Sequence, residues 1–191
     1  MSANSVKEAA FKLFALKGYE ATTMRDIANE VGIKPASIYH HYESKEAIFL
    51  LLVNEMLARI SWELNEEKLE KEIDLKQTLY DAFISYYDFF STHDLELKFW
   101  QRIRFFAPLG MESAYSTNIL GSGRTLLELY IELFNRAMRQ KKLEHPIEMY
   151  VMSYFSFLSG YLDSLLIVPF KLSTIQLNQA FEIYWNGFEL D

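Results

Sequence analysis

Residues 22–46, TTMRDIANEVGIKPASIYHHYESKE, compress two helix starts, a glycine turn and the opening of a further helix into 25 residues. Thr23 is a natural N-cap, with Asp26 three positions on as a variant capping box. Ile27, Ala28 and Val31 form the inner face of the helix that follows. Gly32 supplies the turn, and Pro35 suits the first position of the next helix, where its missing N–H costs nothing. Ile38 and Tyr42, four apart, face inward and leave Ser37, Tyr39, His40 and His41 near the outside. A short scaffold helix, a turn and a helix with a polar, aromatic outer face make a helix-turn-helix, the shape that enters a DNA major groove.

Working outward, Val6, Ala9, Ala10, Leu13 and Phe14 form one buried stripe of a first helix, closed by Lys17 and Gly18. Downstream, Ser44 caps a fourth helix running through Ile48, Leu52 and Met56 toward Trp62. Residues 65–74, NEEKLEKEID, read as a solvated charge run. A helix is expected from about Leu75 to Thr92, with Leu79, Phe83, Tyr86, Tyr87 and Phe90 in register. Another carries Leu95, Phe99, Ile103 and Phe106 and stops at Pro108–Gly110. Ser113 to Leu143 is helical with a kink or break expected at Gly121–Gly123, because each glycine costs about 1 kcal/mol relative to alanine. Two last helices run from Pro146 to about Val168 and from about Thr174 to Glu189. The expected fold is all-α: a three-helix DNA-binding head, residues 1–46, and a helical body for effector binding and dimerisation, residues 47–191.

Composition agrees with a packed helical protein. Half of the 191 residues are hydrophobic, 16% are aromatic, and only 7 are glycine and 4 proline, so a real core can be buried. The absence of cysteine removes disulfides and thiolate chemistry and fits a reducing cytoplasm. No signal peptide is read at the N-terminus, and the uncharged stretch 149–162 is too short for a membrane span. The net charge of −7 is unevenly placed: residues 1–50 hold six basic and six acidic side chains, the rest 13 against 20. Only the head can approach phosphate cheaply.

The run Ala9-Ala10-x-x-Leu13-Phe14-x-x-x-Gly18-Tyr19-x-x-Thr22-Thr23, then Ile27-Ala28-x-x-x-Gly32, then Ser37-Ile38-Tyr39-x-His41-Tyr42-x-x-Lys45-Glu46 resembles the TetR family of bacterial transcriptional repressors. The resemblance covers roughly residues 5–50. It implies a homodimer that grips a palindromic operator and releases it when a small molecule enters the body. Carried over by position, Thr23 and Arg25 touch DNA from the start of the second helix. Ser37, Tyr39 and His40 hold phosphates, His41 lies near the groove, and Lys45 meets a flanking phosphate. Lys34 stands where Ser or Thr is common, and Ala36 where Gly or Pro is common, which leaves base specificity there open.

In the body, ten aromatics fall between Tyr80 and Phe106, more than filling a small bundle needs. Phe83, Tyr86, Tyr87, Phe99, Trp100 and Phe106 are candidates to line an effector cavity, with Arg102 to hold an anionic group. Ser156, Gly160 and Ser164 repeat every four residues as a small-residue ridge. With Phe181 and Trp185 on the last helix they form the candidate dimer interface. His40 and His41 diverge by about 100° on a helix and lack an i,i+4 partner, so no metal or cofactor is expected. No nucleophile–base pair or phosphate loop points to an enzyme; a catalytic body with a vestigial head, and a head that only meets protein, are the alternatives.

Overall fold

The computed structural model describes residues 2–60, 74–106, 108, 126–139, 144–168 and 170–187. The described residues form nine helices: α1 (Ala3–Lys17), α2 (Met24–Val31), α3 (Pro35–Ile38), α4 (Lys45–Ile60), α5 (Leu75–Thr92), α6 (Asp94–Phe105), α7 (Leu126–Ala137), α8 (Ile147–Ile167) and α9 (Thr174–Asn186). The fold is all-α. The expected kink at Gly121–Gly123, the charge run up to residue 73 and the ends of the fourth and last helices lie outside the described residues.

The chain packs as two compact units, one of α1–α4 with α6, the other of α5 with α7–α9. In the first, α1 buries Val6, Ala9, Ala10, Leu13 and Phe14, the predicted stripe. Phe14 meets Phe49 of α4 edge to face at 5.3 Å, and Phe99 of α6 packs on Phe11 at 5.2 Å and Phe49 at 5.8 Å. Phe49 and Phe99, both beyond residue 46, therefore help complete the core beneath the helix-turn-helix. Ion pairs Lys7–Glu55 at 2.7 Å and Lys12–Glu30 at 2.6 Å tie α1 to α4 and to α2. Both are solvent-facing and worth little individually.

The second unit has an aromatic core. Phe83 of α5 lies 4.8 Å from Phe157 and 5.4 Å from Tyr161 of α8, and 6.2 Å from Phe181 of α9. Phe157 stacks on Tyr184 at 4.4 Å. The fully buried Tyr154 donates its hydroxyl to the Leu79 carbonyl at 2.8 Å, and burial pushes its pKa well up. The phenol stays a neutral donor in that interior.

One expectation on α6 is corrected. The helix ends at Phe105, and Phe106, at φ −136°, is 71% exposed. Leu97, at 1% exposure, joins Phe99 and Ile103 on the inner face. Phe106 leaves the helical register one residue too early to share it.

Candidate nucleic-acid interface

Two turn devices set the reading head. Thr23 caps α2: its hydroxyl accepts from the Asp26 N–H at 3.1 Å and donates to Asp26 Oδ2 at 2.6 Å, while the Thr23 N–H reaches the same oxygen at 2.9 Å. These bonds hold the Asp26 carboxyl below its ordinary range, helped by Lys17 and Arg25. Lys12 does the same to Glu30. Gly32 then turns the chain in the left-handed region, φ 74°, ψ 34°, which a side chain would strain.

Pro35 opens α3, and Lys34 stands at its N-cap without a side-chain cap bond. The helix is four residues long. Ile38 is fully buried, and Tyr42 is half-buried with its hydroxyl on the Ala3 carbonyl at 3.0 Å. Tyr39, His40 and His41 form the turn after α3 and are exposed, Tyr39 to 56%. Arg25 and Lys34 are exposed, and Ser37 is half-buried. The head thus presents two cations, a phenol, two imidazoles and a hydroxyl on or beside the capped α2 and the short α3 that follows the Gly32 turn. Such groups bond phosphates, and an arginine can read a guanine edge.

Two predicted contacts have other partners here. The Thr23 hydroxyl hydrogen is already given to Asp26, so it serves as a cap. Lys45 turns inward, with Nζ donating to the carbonyls of Tyr19 at 2.8 Å and Thr22 at 2.9 Å and lying 3.9 Å from the centre of the Tyr19 ring. Sequence reasoning missed this pairing because carbonyl acceptors carry no side-chain signature.

A model of bacterial regulatory proteins of the tetR family matches residues 7–52. Over 46 residues the chain is 46% identical to IcaR, the negative transcriptional regulator of the biofilm operon icaADBC in Staphylococcus epidermidis. The head is a TetR-family domain. That match covers 24% of this chain and 25% of IcaR, so this chain spans about a quarter of the length of the curated relatives it matches; a Staphylococcus aureus IcaR matches to the same extent. The whole chain shares its fold with FadR of Bacillus subtilis, solved with stearoyl-CoA, at TM-score 0.76 and 16% identity, covering 97% of this chain and 99% of that one. KstR2 of Mycobacterium tuberculosis, a ketosteroid transcriptional regulator, gives 0.70 and 20%, covering 99% and 95%. Those identities show a shared all-α fold and nothing finer.

The seven expected effector residues divide between the two units. Phe83, Tyr86 and Tyr87 are buried in the second, where the Tyr87 hydroxyl accepts from the Leu172 N–H at 2.9 Å. In the first unit, Phe99 is core, Trp100 is half-buried and Phe106 is exposed. Arg102 donates to the Leu16 carbonyl at 3.1 Å. Of the expected dimer residues, Ser156 and Gly160 are exposed and Ser164 and Trp185 half-buried. Phe181, at 1% exposure, packs its ring against Phe83, Tyr80 and Trp185 of its own unit. The outward residues of α9 include Ile175 and Ile183, 70% and 77% exposed. Among the described residues, no helix is long and apolar enough to cross a membrane.

Proposed function

We propose that the protein is a homodimeric transcriptional repressor that binds a palindromic operator through its TetR-family head and releases it when a small hydrophobic or aromatic molecule enters the body. The observation that carries this reading is the outward set Arg25, Lys34, Ser37, Tyr39, His40 and His41 on elements fixed by the Thr23 cap and the Gly32 turn. Backbone-held polar groups position a protein on phosphates, and base contacts then supply sequence preference. Two heads on a twofold axis read half-sites about one helical turn apart, ~34–36 Å.

The aromatic interior of the second unit supports a hydrophobic effector. FadR of Bacillus subtilis, of the same fold, was solved with stearoyl-CoA, and KstR2 is a ketosteroid transcriptional regulator, so stearoyl-CoA and a ketosteroid are the first probes here. Binding alone is insufficient, since a ligand with equal affinity for both states shifts nothing.

The test is anisotropy titration of labelled fragments of the protein's own promoter at low ionic strength, then addition of each probe. Nanomolar to micromolar binding that a probe reverses supports the reading. No binding to any fragment would overturn the regulatory function; binding that no hydrophobic probe reverses would remove the effector class. Arg25→Ala should redistribute preference among operator variants, and a uniform loss across all of them would argue against base readout.

A further inference from the structure

The corner between α1 and α2, residues 17–23, is closed by donors from distant helices. Gly18 N–H returns to the Phe14 carbonyl at 3.0 Å, and the buried Thr22 hydroxyl donates to the Gly18 carbonyl at 2.8 Å. The Thr22 N–H returns to the Tyr19 carbonyl at 3.2 Å, and two cations from other helices add bonds to carbonyls of the corner and of the turn before it. Arg102 of α6 donates from Nη2 to the Leu16 carbonyl at 3.1 Å. Lys45, at the start of α4, donates to the Tyr19 and Thr22 carbonyls at 2.8 and 2.9 Å. The acceptor at Leu16 is a last-turn carbonyl of α1, where the helix dipole favours a cation. Thr22 immediately precedes the N-cap that starts α2.

Glycine at position 18 fits this arrangement twice over. Its φ of 87° is one L side chains rarely adopt, and a β-carbon there would stand 3.3 Å from Arg102 Nη1 and 3.7 Å from Arg102 Cζ. The guanidinium passes directly over the bare backbone. Lys45 is similarly committed: an ammonium has three donors, two are spent on carbonyls, and the Tyr19 ring lies beside it at 3.9 Å. A phosphate contact from Lys45 would have only the third N–H to use, unless one of the carbonyl bonds were given up.

We infer that Lys45 and Arg102 are positioning residues that clamp the α1–α2 corner and so hold α2 in the orientation that engages duplex DNA, in place of the phosphate and effector contacts expected of them from the sequence. The inference rests on the proposed DNA binding by this head. It predicts that losing either cation lowers operator affinity without changing how many phosphates are neutralised.

The experiment uses the full chain and a duplex selected from a random library, titrated by anisotropy across a salt series. The exposed Lys34, as Lys34→Met, is the comparator and should flatten the slope of log K against log salt by about 0.9. Lys45→Met and Arg102→Met should each weaken binding about tenfold, the scale of one lost charge-assisted hydrogen bond, with the slope unchanged. Arg102→Lys should recover part of the loss. A slope change in Lys45→Met equal to that of Lys34→Met, or full affinity in Arg102→Met, would overturn the inference. Should either methionine variant fail to fold, the lysine ammonium resonances of the unaltered protein decide the matter. A Lys45 signal protected in the free protein and unmoved by DNA supports the clamp, and one that shifts on adding DNA overturns it. If the unaltered protein binds no duplex, the function itself fails, which is a different result from either.

Discussion

The Thr23 hydroxyl gives its hydrogen to Asp26 and receives one from the Asp26 N–H, so a residue carried over as a DNA contact acts in the free protein as a helix cap. Thr23→Ala should cost about 1 kcal/mol of stability, read as a lower denaturation midpoint. The partner makes the effect pH-dependent. The Asp26 pKa lies below its ordinary 3.8 because of Thr23. Its contribution is therefore present above about that pH and is lost as pH falls through the lowered value. In Thr23→Ala that acid-limb loss should shrink; an identical acid limb in both proteins would refute the coupling. Gly32 offers a cleaner case of backbone strain. A β-carbon there meets nothing within 4 Å, so Gly32→Ala should cost about 1 kcal/mol through φ alone. Chemical denaturation measures it, and no loss would show that the turn relaxes.

At the scale of elements, α3 is short and uncapped because Lys34 occupies the N-cap position without a cap bond. Lys34→Ser should supply that acceptor and stabilise the protein by about 1 kcal/mol, while the loss of an exposed cation weakens DNA binding and flattens the salt slope. Stability and affinity would move in opposite directions, and a parallel change would contradict the assignment. The α8 ridge poses a different question. A β-carbon at Gly160 meets open space, so within one chain Gly160→Ala should add about 1 kcal/mol of helix propensity. If the ridge seats a second copy closely, the same change should raise the dimer dissociation constant. Sedimentation equilibrium separates these outcomes, and unchanged association would exclude Gly160 from the interface.

For the whole molecule, Met149, Met152, Leu166, Ile167, Ile175 and Ile183 on α8 and α9 are large apolar side chains left exposed, and apolar surface of that kind, where contiguous, marks an interaction face. We expect it to be the twofold face, with Ile183→Glu yielding monomers that bind one half-site weakly and lose preference for the palindrome. A dimer persisting in that variant would place the interface elsewhere. The acidic excess of residues 51–191 should keep non-specific DNA affinity low, so the ratio of operator to random-duplex binding should exceed what the head alone would give.

The chain by itself determined the head's helices and most of their inner faces, because periodicity, capping residues and turn glycines act over a few positions: Val6 to Phe14, Thr23 with Asp26, Gly32 and Pro35 all read directly. Tertiary structure alone decided partners between distant residues. That Arg102 meets the Leu16 carbonyl, that Lys45 faces Tyr19 and Thr22, and that Phe181 turns into its own core depend on which helices pack together. Backbone carbonyls and buried ring faces accept such contacts from any suitable side chain, whatever residue carries them, so their pairing leaves no local trace in the order of amino acids.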